Sequence, residues 1–379
     1  MDYDVVVAGV GVAGAFTLMH LSKNVNAVGI DRREKLGYPV ECGEIIPSKK
    51  EMEILLPDLD DHSIFEIPEK FAVNKTERFV FVLPDGREIE VDFDMLVLNR
   101  DEMIQSVAEN SGHELILGKR FDYSDGIVVD GERISSEVIV ASDGANSVIR
   151  RRMNAGSFEI SPAKQYVMEG FEGDEKAIYM YVGRKISAGG YAWIIPKGNG
   201  IANVGVGFRQ EYAEKGDNIH IALDRFVRKW VHSSEMLKNA TVKSKIGAVV
   251  PVDRPIRKTV FGKVIFTGDS ASMVISHVGA GIPTSMVAGR IAGEVISEYL
   301  DGECSLDLYE TLWRKAMLKP MENGYFIKRM WDEMAVRDER VVRYFRLVSK
   351  KDMSAILRSK LPMKVKIARF LMPFLNLIF

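Results

Sequence analysis

Residues 4–21 read DVVVAGVGVAGAFTLMHL, a β-branched run followed by closely spaced glycines and then by small and apolar residues. Gly9, Gly11 and Gly14 give the spacing G-x-G-x-x-G at the turn between a predicted strand and a predicted helix. Such a turn lets a pyrophosphate approach the backbone and face the positive end of the helix dipole. Asp31 ends the next predicted strand, where an acceptor for ribose hydroxyls is required. We therefore predict a βαβ dinucleotide-binding unit; a glycine-rich turn without a ligand is the alternative.

Further segments of the same buried kind occur much later in the chain. Residues 136–141 and 264–267 are short apolar runs typical of buried parallel strands. A helix rich in small residues is predicted over residues 282–300, and Pro283 suits its first turn because the missing N–H has no partner there. The dinucleotide-binding unit is therefore predicted to be discontinuous in sequence.

Between these segments the pattern is that of a separate sheet. Residues 71–91 alternate around the turn signal Pro84-Asp85-Gly86, and residues 165–208 are mostly strand-like. We predict an α/β protein with a Rossmann-type nucleotide-binding domain, an interleaved antiparallel β-sheet substrate domain and a C-terminal helical segment. The predicted divisions are residues 1–70, 96–155 and 256–300 for the nucleotide domain, 71–95 and 156–255 for the sheet domain, and 301–379 for the helical segment.

Composition and charge exclude several classes of protein. The 379 residues are 46% hydrophobic and 27% charged, which excludes a disordered chain, and the net charge of −2 provides no field to recruit nucleic acid. Two cysteines make no disulfide framework, no residue is assigned to a metal, and no apolar run reaches the roughly 18 residues needed to cross a bilayer. We expect a cytoplasmic protein without a signal peptide.

Residues 138–150, VIVASDGANSVIR, resemble the Asp-Gly motif of the flavoprotein hydroxylase superfamily. Asp143, Gly144, Ser147 and Arg150 match the pattern. The resemblance implies that Asp143 and Gly144 lie close to the pyrophosphate of FAD. A strand and turn with a polar tail is the alternative.

Residues 264–294 resemble the second flavin motif of the same superfamily. The resemblance implies that Asp269 binds a hydroxyl of the ribityl chain and that Gly279 and Gly281 let the backbone pass beside the flavin ring. Ile282 then opens a helix whose N-terminus would stabilise negative charge on the reduced flavin. Arg100 matches an arginine that family members use near the cofactor; an exposed residue at a helix start is the alternative. These motifs together predict FAD as the cofactor.

Two more specific segments resemble the geranylgeranyl reductase family, over nearly the whole chain. Residues 191–197, YAWIIPK, look like its Tyr-x-Trp-x-Phe-Pro-Lys signature, and residues 41–44, ECGE, match its Cys-Gly-Glu element. Tyr191 and Trp193 alternate on a predicted strand and so share one face, which suits the wall of an isoprenoid pocket. From spacing alone, a pair of core aromatic residues is the alternative.

The Cys-Gly-Glu match implies that Cys42 and Gly43 lie near the cofactor. It also implies a functional role for Cys42, as a redox thiol or a group close to the substrate, and we take the residue as the catalytic candidate; a small buried hydrophobic residue is the alternative. Three positions depart from the family pattern. Ile195 replaces a phenylalanine, Ala188 stands where a proline often precedes the tyrosine, and Ser276 replaces a proline in the second flavin motif.

The resemblance implies a reductase that saturates C=C bonds of geranylgeranyl chains in archaeal-type membrane lipids, with hydride from reduced FAD. An isoprenoid lipid is therefore the expected partner. A nicotinamide, a deazaflavin and a ferredoxin all remain open as the electron donor. The alternatives are an aromatic or quinone monooxygenase on the same scaffold and a non-catalytic flavin-binding lipid carrier.

Two further features leave alternatives open. His277 is either a proton donor near the flavin or a loop histidine without such a role. Residues 361–379 mix Lys364, Lys366 and Arg369 with large apolar side chains. This tail either lies on an anionic membrane surface, as a peripheral contact, or packs on the protein as a last helix.

Overall fold

The computed structural model describes residues 2–363 and residue 365, and its frame consists of two eight-stranded sheets. The first sheet has a parallel centre in the order β16-β9-β1-β2-β6. Val5, Val6 and Val7 are fully buried, as expected for a parallel strand covered on its faces by helices. With strands numbered in chain order through both sheets, those of the first are β1 (Asp2–Ala8), β2 (Ala27–Asp31), β6 (Glu114–Leu117), β7 (Phe121–Tyr123), β8 (Ile127–Val129), β9 (Glu132–Ala141), β15 (Val260–Phe261) and β16 (Val264–Phe266).

Four helices accompany the first sheet: α1 (Val12–His20), α3 (Arg100–Asn110), α4 (Val148–Met153) and α7 (Ile282–Leu300). The bounds of α7 agree with the predicted helix over residues 282–300, and Pro283 lies in its first turn. Helix α1 packs along α7. The glycine turn of residues 9–14 connects β1 to α1, so the predicted βαβ unit is confirmed.

The second sheet is mostly antiparallel, in the order β14-β10-β13-β12-β11-β4-β5-β3, with β11 and β4 as a parallel pair. The predicted hairpin at residues 84–86 connects β4 to β5. These strands are β3 (Ile45–Pro47), β4 (Ala72–Val82), β5 (Glu88–Leu98), β10 (Ile160–Glu169), β11 (Ala177–Val182), β12 (Tyr191–Gly198), β13 (Ile201–Gly207) and β14 (Thr241–Pro251).

Two short segments belong to a different sheet from the one expected. Residues 45–47 and 96–98 were grouped with the nucleotide-binding segments, yet they pair with each other in the second sheet, Ile45 opposite Val97. The pairing of segments about fifty residues apart leaves no local pattern in the sequence, and this explains the difference.

Helices cover one face of the second sheet, and the described chain ends in a series of helices. Leu223 and Phe226 of α5 pack against the face that carries Tyr181 and Val204. Among the described residues, no helix is both long and apolar enough to cross a bilayer. Of the tail over residues 361–379, all but 361–363 and 365 lie outside the described residues. The remaining helices are α2 (Lys49–Leu55), α5 (Ile219–Arg228), α6 (Val231–Met236), α8 (Asp307–Trp313), α9 (Lys319–Met334), α10 (Asp338–Phe345) and α11 (Lys350–Leu357), with a π-helical segment, Arg314–Leu318, between α8 and α9.

Candidate functional site

One cavity of about 1100 Å³ runs from the glycine turn of the first sheet to the open face of the second. Thirteen of the fourteen residues predicted from sequence line it. The exception is Gly14, where a Cβ would overlap the carbonyl oxygen of Gly9, so this glycine serves the close packing of helix and turn. The thirteen are Gly9, Gly11, Asp31, Cys42, Gly43, Arg100, Asp143, Gly144, Tyr191, Trp193, Asp269, Gly281 and Ile282.

The glycine turn leaves room for a ligand at one end of the cavity. A Cβ at Gly11 would have no atom within 4 Å, so the backbone there faces open space. Asp31 accepts hydrogen bonds from the backbone N–H groups of Val10 and Arg33, both at 2.9 Å. These bonds fix the carboxylate, and each oxygen keeps a second lone pair for a hydroxyl donor.

The Asp-Gly segment lies opposite this turn. Asp143 Oδ2 accepts the N–H of Val148 at 2.7 Å, at the start of α4, while Oδ1 is buried and has no partner among the described residues. Burial raises the pKa of Asp143 in spite of hydrogen bonds to Ser147 and to the start of α4. Arg150 Nη1 donates to the carbonyl of Ser270 at 2.9 Å and so ties this segment to the second flavin motif.

The second flavin motif brings a buried carboxyl beside a cation. Burial raises the pKa of Asp269 to about 6, and the charge of Arg100 opposes that rise. Gly281 precedes the first turn of α7, and a Cβ there would lie 3.1 Å from Asp269 Oδ1. Within the described part of the chain, Arg100 Nε and Thr267 Oγ1 are buried without hydrogen-bond partners.

The donors and acceptors of this end fit a dinucleotide. A buried polar atom without a hydrogen-bond partner destabilises the fold. A polar ligand would provide such partners for Asp143 Oδ1, Arg100 Nε and Thr267 Oγ1. All three residues line the same cavity as the open glycine turn. Backbone access for phosphates and side-chain partners for hydroxyls are therefore available together.

The other end of the cavity is an apolar wall formed by the second sheet. Tyr191 and Trp193 share a face of β12, with ring centroids 5.8 Å apart in an edge-on arrangement. The Tyr191 hydroxyl donates to the carbonyl of Val278 at 2.7 Å, and burial raises the pKa of this phenol. Further apolar side chains from neighbouring strands complete the wall: Phe79, Phe93, Met95, Ile178, Met180 and Ile195.

A polar network connects the Cys-Gly-Glu element to the Tyr-x-Trp strand. Gln165 Nε2 donates to the carbonyl of Cys42 at 3.0 Å, and Gln165 Oε1 accepts the indole N–H of Trp193 at 2.9 Å. Lys197 Nζ donates to Glu44 Oε2 at 2.5 Å, and both side chains are largely buried. Glu44 has a left-handed backbone conformation, with φ of 62°. The network holds the two segments in one relative position.

Sequence reasoning missed Gln165 and Asn203, which are buried polar residues of the second sheet. Asn203 Nδ2 donates to the carbonyl of Gly43 and to Glu44 Oε2, each at 3.1 Å. For Asn203 the available signal was a polar residue within the otherwise apolar strand β13, since such a residue needs a partner when it is buried. Gln165 follows Lys164 in the mixed strand β10, so no such signal marks it.

His277 lines the cavity, but its geometry argues against proton donation. Its Nε2 donates to the carbonyl of Ile356 at 2.9 Å, because a carbonyl oxygen can only accept. Burial lowers the pKa of His277 to about 4, so the ring is neutral near pH 7. Its one N–H is thus engaged away from the cavity.

The family description "geranylgeranyl reductase catalytic domain" matches residues 159–249. The chain is 30% identical over 361 residues to a digeranylgeranylglycerophospholipid reductase of Methanoculleus marisnigri, covering 86% of each chain. It is 28% identical over 363 residues to digeranylgeranylglycerophospholipid reductase 2 of Methanopyrus kandleri, covering 88% of each.

Solved structures share the fold. A geranylgeranyl bacteriochlorophyll reductase-like protein of Thermoplasma acidophilum superposes with a TM-score of 0.76 at 22% identity, over 88% of this chain and 89% of that one. A triple mutant of a flavin-dependent brominase superposes with a TM-score of 0.75 at 18% identity, over 99% of each chain. The chain therefore shares its fold with these two proteins over most of its length.

Proposed function

Because the chain belongs to the geranylgeranyl reductase family, a family of FAD-dependent oxidoreductases, we propose that it saturates C=C bonds of geranylgeranyl chains in archaeal-type membrane lipids. The observation that carries the proposal is the continuity of the cavity. One end offers glycine turns and unpaired polar atoms, and the other end offers an apolar wall. A nucleotide cofactor and an isoprenoid chain would thus meet within one cavity.

The residues of the first sheet would hold FAD. We assign the pyrophosphate to the backbone at Gly9, Gly11, Asp143 and Gly144 and the ribose to Asp31. Asp269 and Arg100 would bind the ribityl chain, and Gly43, Gly279, Gly281 and Ile282 would border the ring. Bound and reduced, FAD supplies the hydride for the reaction.

The second sheet would bind and orient the isoprenoid chain. An isolated alkene offers no polar handle, so binding relies on shape and on burial, worth about 0.8 kcal/mol per CH₂ group. Gln165 fixes the indole of Trp193, and the Val278 carbonyl fixes the phenol of Tyr191. Rings held in this way keep the alkene in one position and keep water out.

Cys42 is the residue that we propose as catalytic. Its sulfur accepts the backbone N–H of Glu44 at 3.2 Å, which orients the side chain, and the residue lines the cavity together with Tyr191. The S–H group would donate the proton to the alkene carbon that does not receive hydride.

The test is lipid mass spectrometry in a host that makes geranylgeranyl lipids. Expression of this protein should add one H₂ per reduced double bond, as should the Methanoculleus marisnigri relative expressed as a positive control. No mass change in a host where the relative is active would overturn the proposal. Oxygen uptake with NAD(P)H stimulated by a phenol would favour a monooxygenase instead.

We also propose that the protein works in the cytoplasm in peripheral contact with the membrane. A lipid substrate that carries two C20 chains partitions strongly into bilayers, so the enzyme must collect it there. The electron donor is to be identified by comparing a nicotinamide, a reduced deazaflavin and a reduced ferredoxin in the same assay.

A further inference from the structure

Helix α10 presents a mixed basic and apolar stripe to solvent. Arg340, Arg343, Tyr344 and Leu347 follow the spacing i, i+3, i+4 and i+7, which places the first three on one side of α10 and Leu347 in the turn that follows it. All four are exposed, Tyr344 at 47% and Leu347 at 65%. These four residues form the α10 face.

The charge around the α10 face differs from that of the whole chain. Residues 337–360 contain eight Lys and Arg but three Asp and Glu, a net charge of +5, whereas the complete chain carries −2. In the part of the chain that the structure describes, Arg343 and Arg346 form no ion pair with a carboxylate. Lys350 and Arg358 pair with Asp92 and Glu51, so the basic charge available to a partner is that of the arginines on and beside α10.

The inner side of the same helical segment closes the apolar part of the cavity. Met353 and Leu357 of α11 belong to the apolar cluster that includes Phe93 and Met95, and Leu357 lines the cavity. Arg358, at the end of α11, forms a two-pronged ion pair with Glu51 of α2, at 2.7 and 2.5 Å. The α10 face thus lies on the outside of the segment whose inside borders the proposed lipid site.

We propose that the α10 face docks the protein on an anionic bilayer and so brings the lipid cavity to its substrate; the second part rests on the proposed function. Arginines pair with anionic head groups, while the Tyr344 and Leu347 side chains enter the interfacial region. Charge alone would equally suit an acidic protein. The exposed apolar side chains interleaved with the arginines favour the bilayer.

The experiment is vesicle flotation with the full-length holoenzyme. Wild type should float with phosphatidylcholine vesicles that contain phosphatidylglycerol, and much less with phosphatidylcholine alone. The variant R340Q/R343Q should reduce binding about tenfold or more, since each cation near an anionic surface contributes severalfold. Y344S/L347S should also reduce binding, but with less dependence on salt.

The matched control removes similar groups at and beside the ends of α5 and α6, which cover the opposite face of the second sheet. K229Q/K238Q/V231S removes two exposed cations and an apolar side chain that is 74% exposed, and it should bind vesicles like wild type. Melting temperature and flavin absorbance check that each variant is folded.

Wild-type binding by both α10-face variants would overturn the proposal, whatever the tail over residues 361–379 contributes. The proposal would also be overturned if wild type did not bind anionic vesicles. An acidic protein that bound the α10 face in such a case would be the partner instead. Flotation needs no turnover, so it is independent of the proposed reaction. On detergent-dispersed lipid the α10-face variants should keep wild-type rates; inactivity of wild type there would count against the proposed function instead.

Discussion

At the level of single residues, burial sets the charge of Asp269. Its pKa rises from the usual 3.8 to about 6 because the carboxyl is desolvated, with Arg100 opposing the rise. A carboxyl whose folded pKa exceeds its unfolded pKa contributes stability that is complete below about pH 3.8 and is lost as the pH rises through 6.

The protein stripped of FAD should therefore be stabilised by D269N at neutral pH but not at pH 4. The expected difference in the free energy of unfolding approaches about 3 kcal/mol between these conditions. Urea titrations of wild type and D269N across this pH range measure it. A difference that does not change with pH would contradict the assignment. With FAD present, D269N should instead bind the cofactor more weakly.

Gln165 offers a second test at this scale. Q165L leaves the Cys42 carbonyl and the Trp193 indole N–H without their partner, and each unpaired buried group costs about 1–3 kcal/mol. We expect the rate of lipid reduction to fall at least tenfold while bound FAD, followed by its absorbance, is retained. Q165E is the companion variant, because it keeps an acceptor for Trp193 while a carboxylate oxygen, which repels the Cys42 carbonyl, replaces the donor. Equal rates for Q165L and wild type would show that the network does not position the wall.

The sequence allowed the backbone-based part of the site to be predicted better than the side-chain network. Gly9, Gly11 and Gly14 are recognisable because the requirement for glycine is local to one turn. Gln165 is not, since its partner Cys42 is 123 residues away and nothing near either residue records the contact. Asn203 and Gly43 are 160 residues apart in the same way.

At the scale of helices and strands, α1 packs closely against α7 because α7 has glycine at the contact. The apolar pattern of α7 predicts a helix but does not predict this contact. A Cβ at Gly289 would overlap the carbonyl oxygen of Ala13, which is backbone and cannot move aside. G289A should therefore lower the free energy of unfolding by about 1–3 kcal/mol or more, as in other overpacked sites. Chemical denaturation measures this. G247A, where a Cβ has no atom within 4 Å, should change stability little.

Strands and helices were predictable where one periodicity or one glycine turn dominates, as for α7 and for the hairpin of β4 and β5. Sheet membership was less predictable. Residues 45–47 and 96–98 have the short apolar pattern of either sheet, and only their pairing with each other assigns them to the second. Strand pairing depends on the surfaces that the whole chain buries, so it cannot be predicted from the pattern of a short segment.

At the scale of the whole molecule, a group of four charges, three of them buried, connects the second sheet to the C-terminal helices. Arg209, which follows β13, pairs with Glu159 at 3.0 Å and with Asp332 of α9. Lys328 of α9 pairs with the same carboxylates, at 2.5 and 3.0 Å. Arg209, Lys328 and Asp332 are buried. Two cations and two carboxylates thus balance each other where α9 meets the sheet.

Removing one of the four charges should lower the free energy of unfolding by more than its ion pairs contribute. The reason is that an opposite charge then remains at the site without its partner. K328M should destabilise the protein by about 3–5 kcal/mol, whereas K328M combined with E159Q restores the charge balance and should recover part of the loss.

Burial raises the pKa of Glu159, but Lys328 and Arg209 outweigh this effect and lower the pKa overall. This contribution to stability is therefore present above about pH 4.5 and is lost as the pH falls through the lowered pKa. Denaturation of wild type, K328M and the double variant at pH 7 and pH 4 measures both effects. Additive losses in the double variant would show that the four charges do not act as one group.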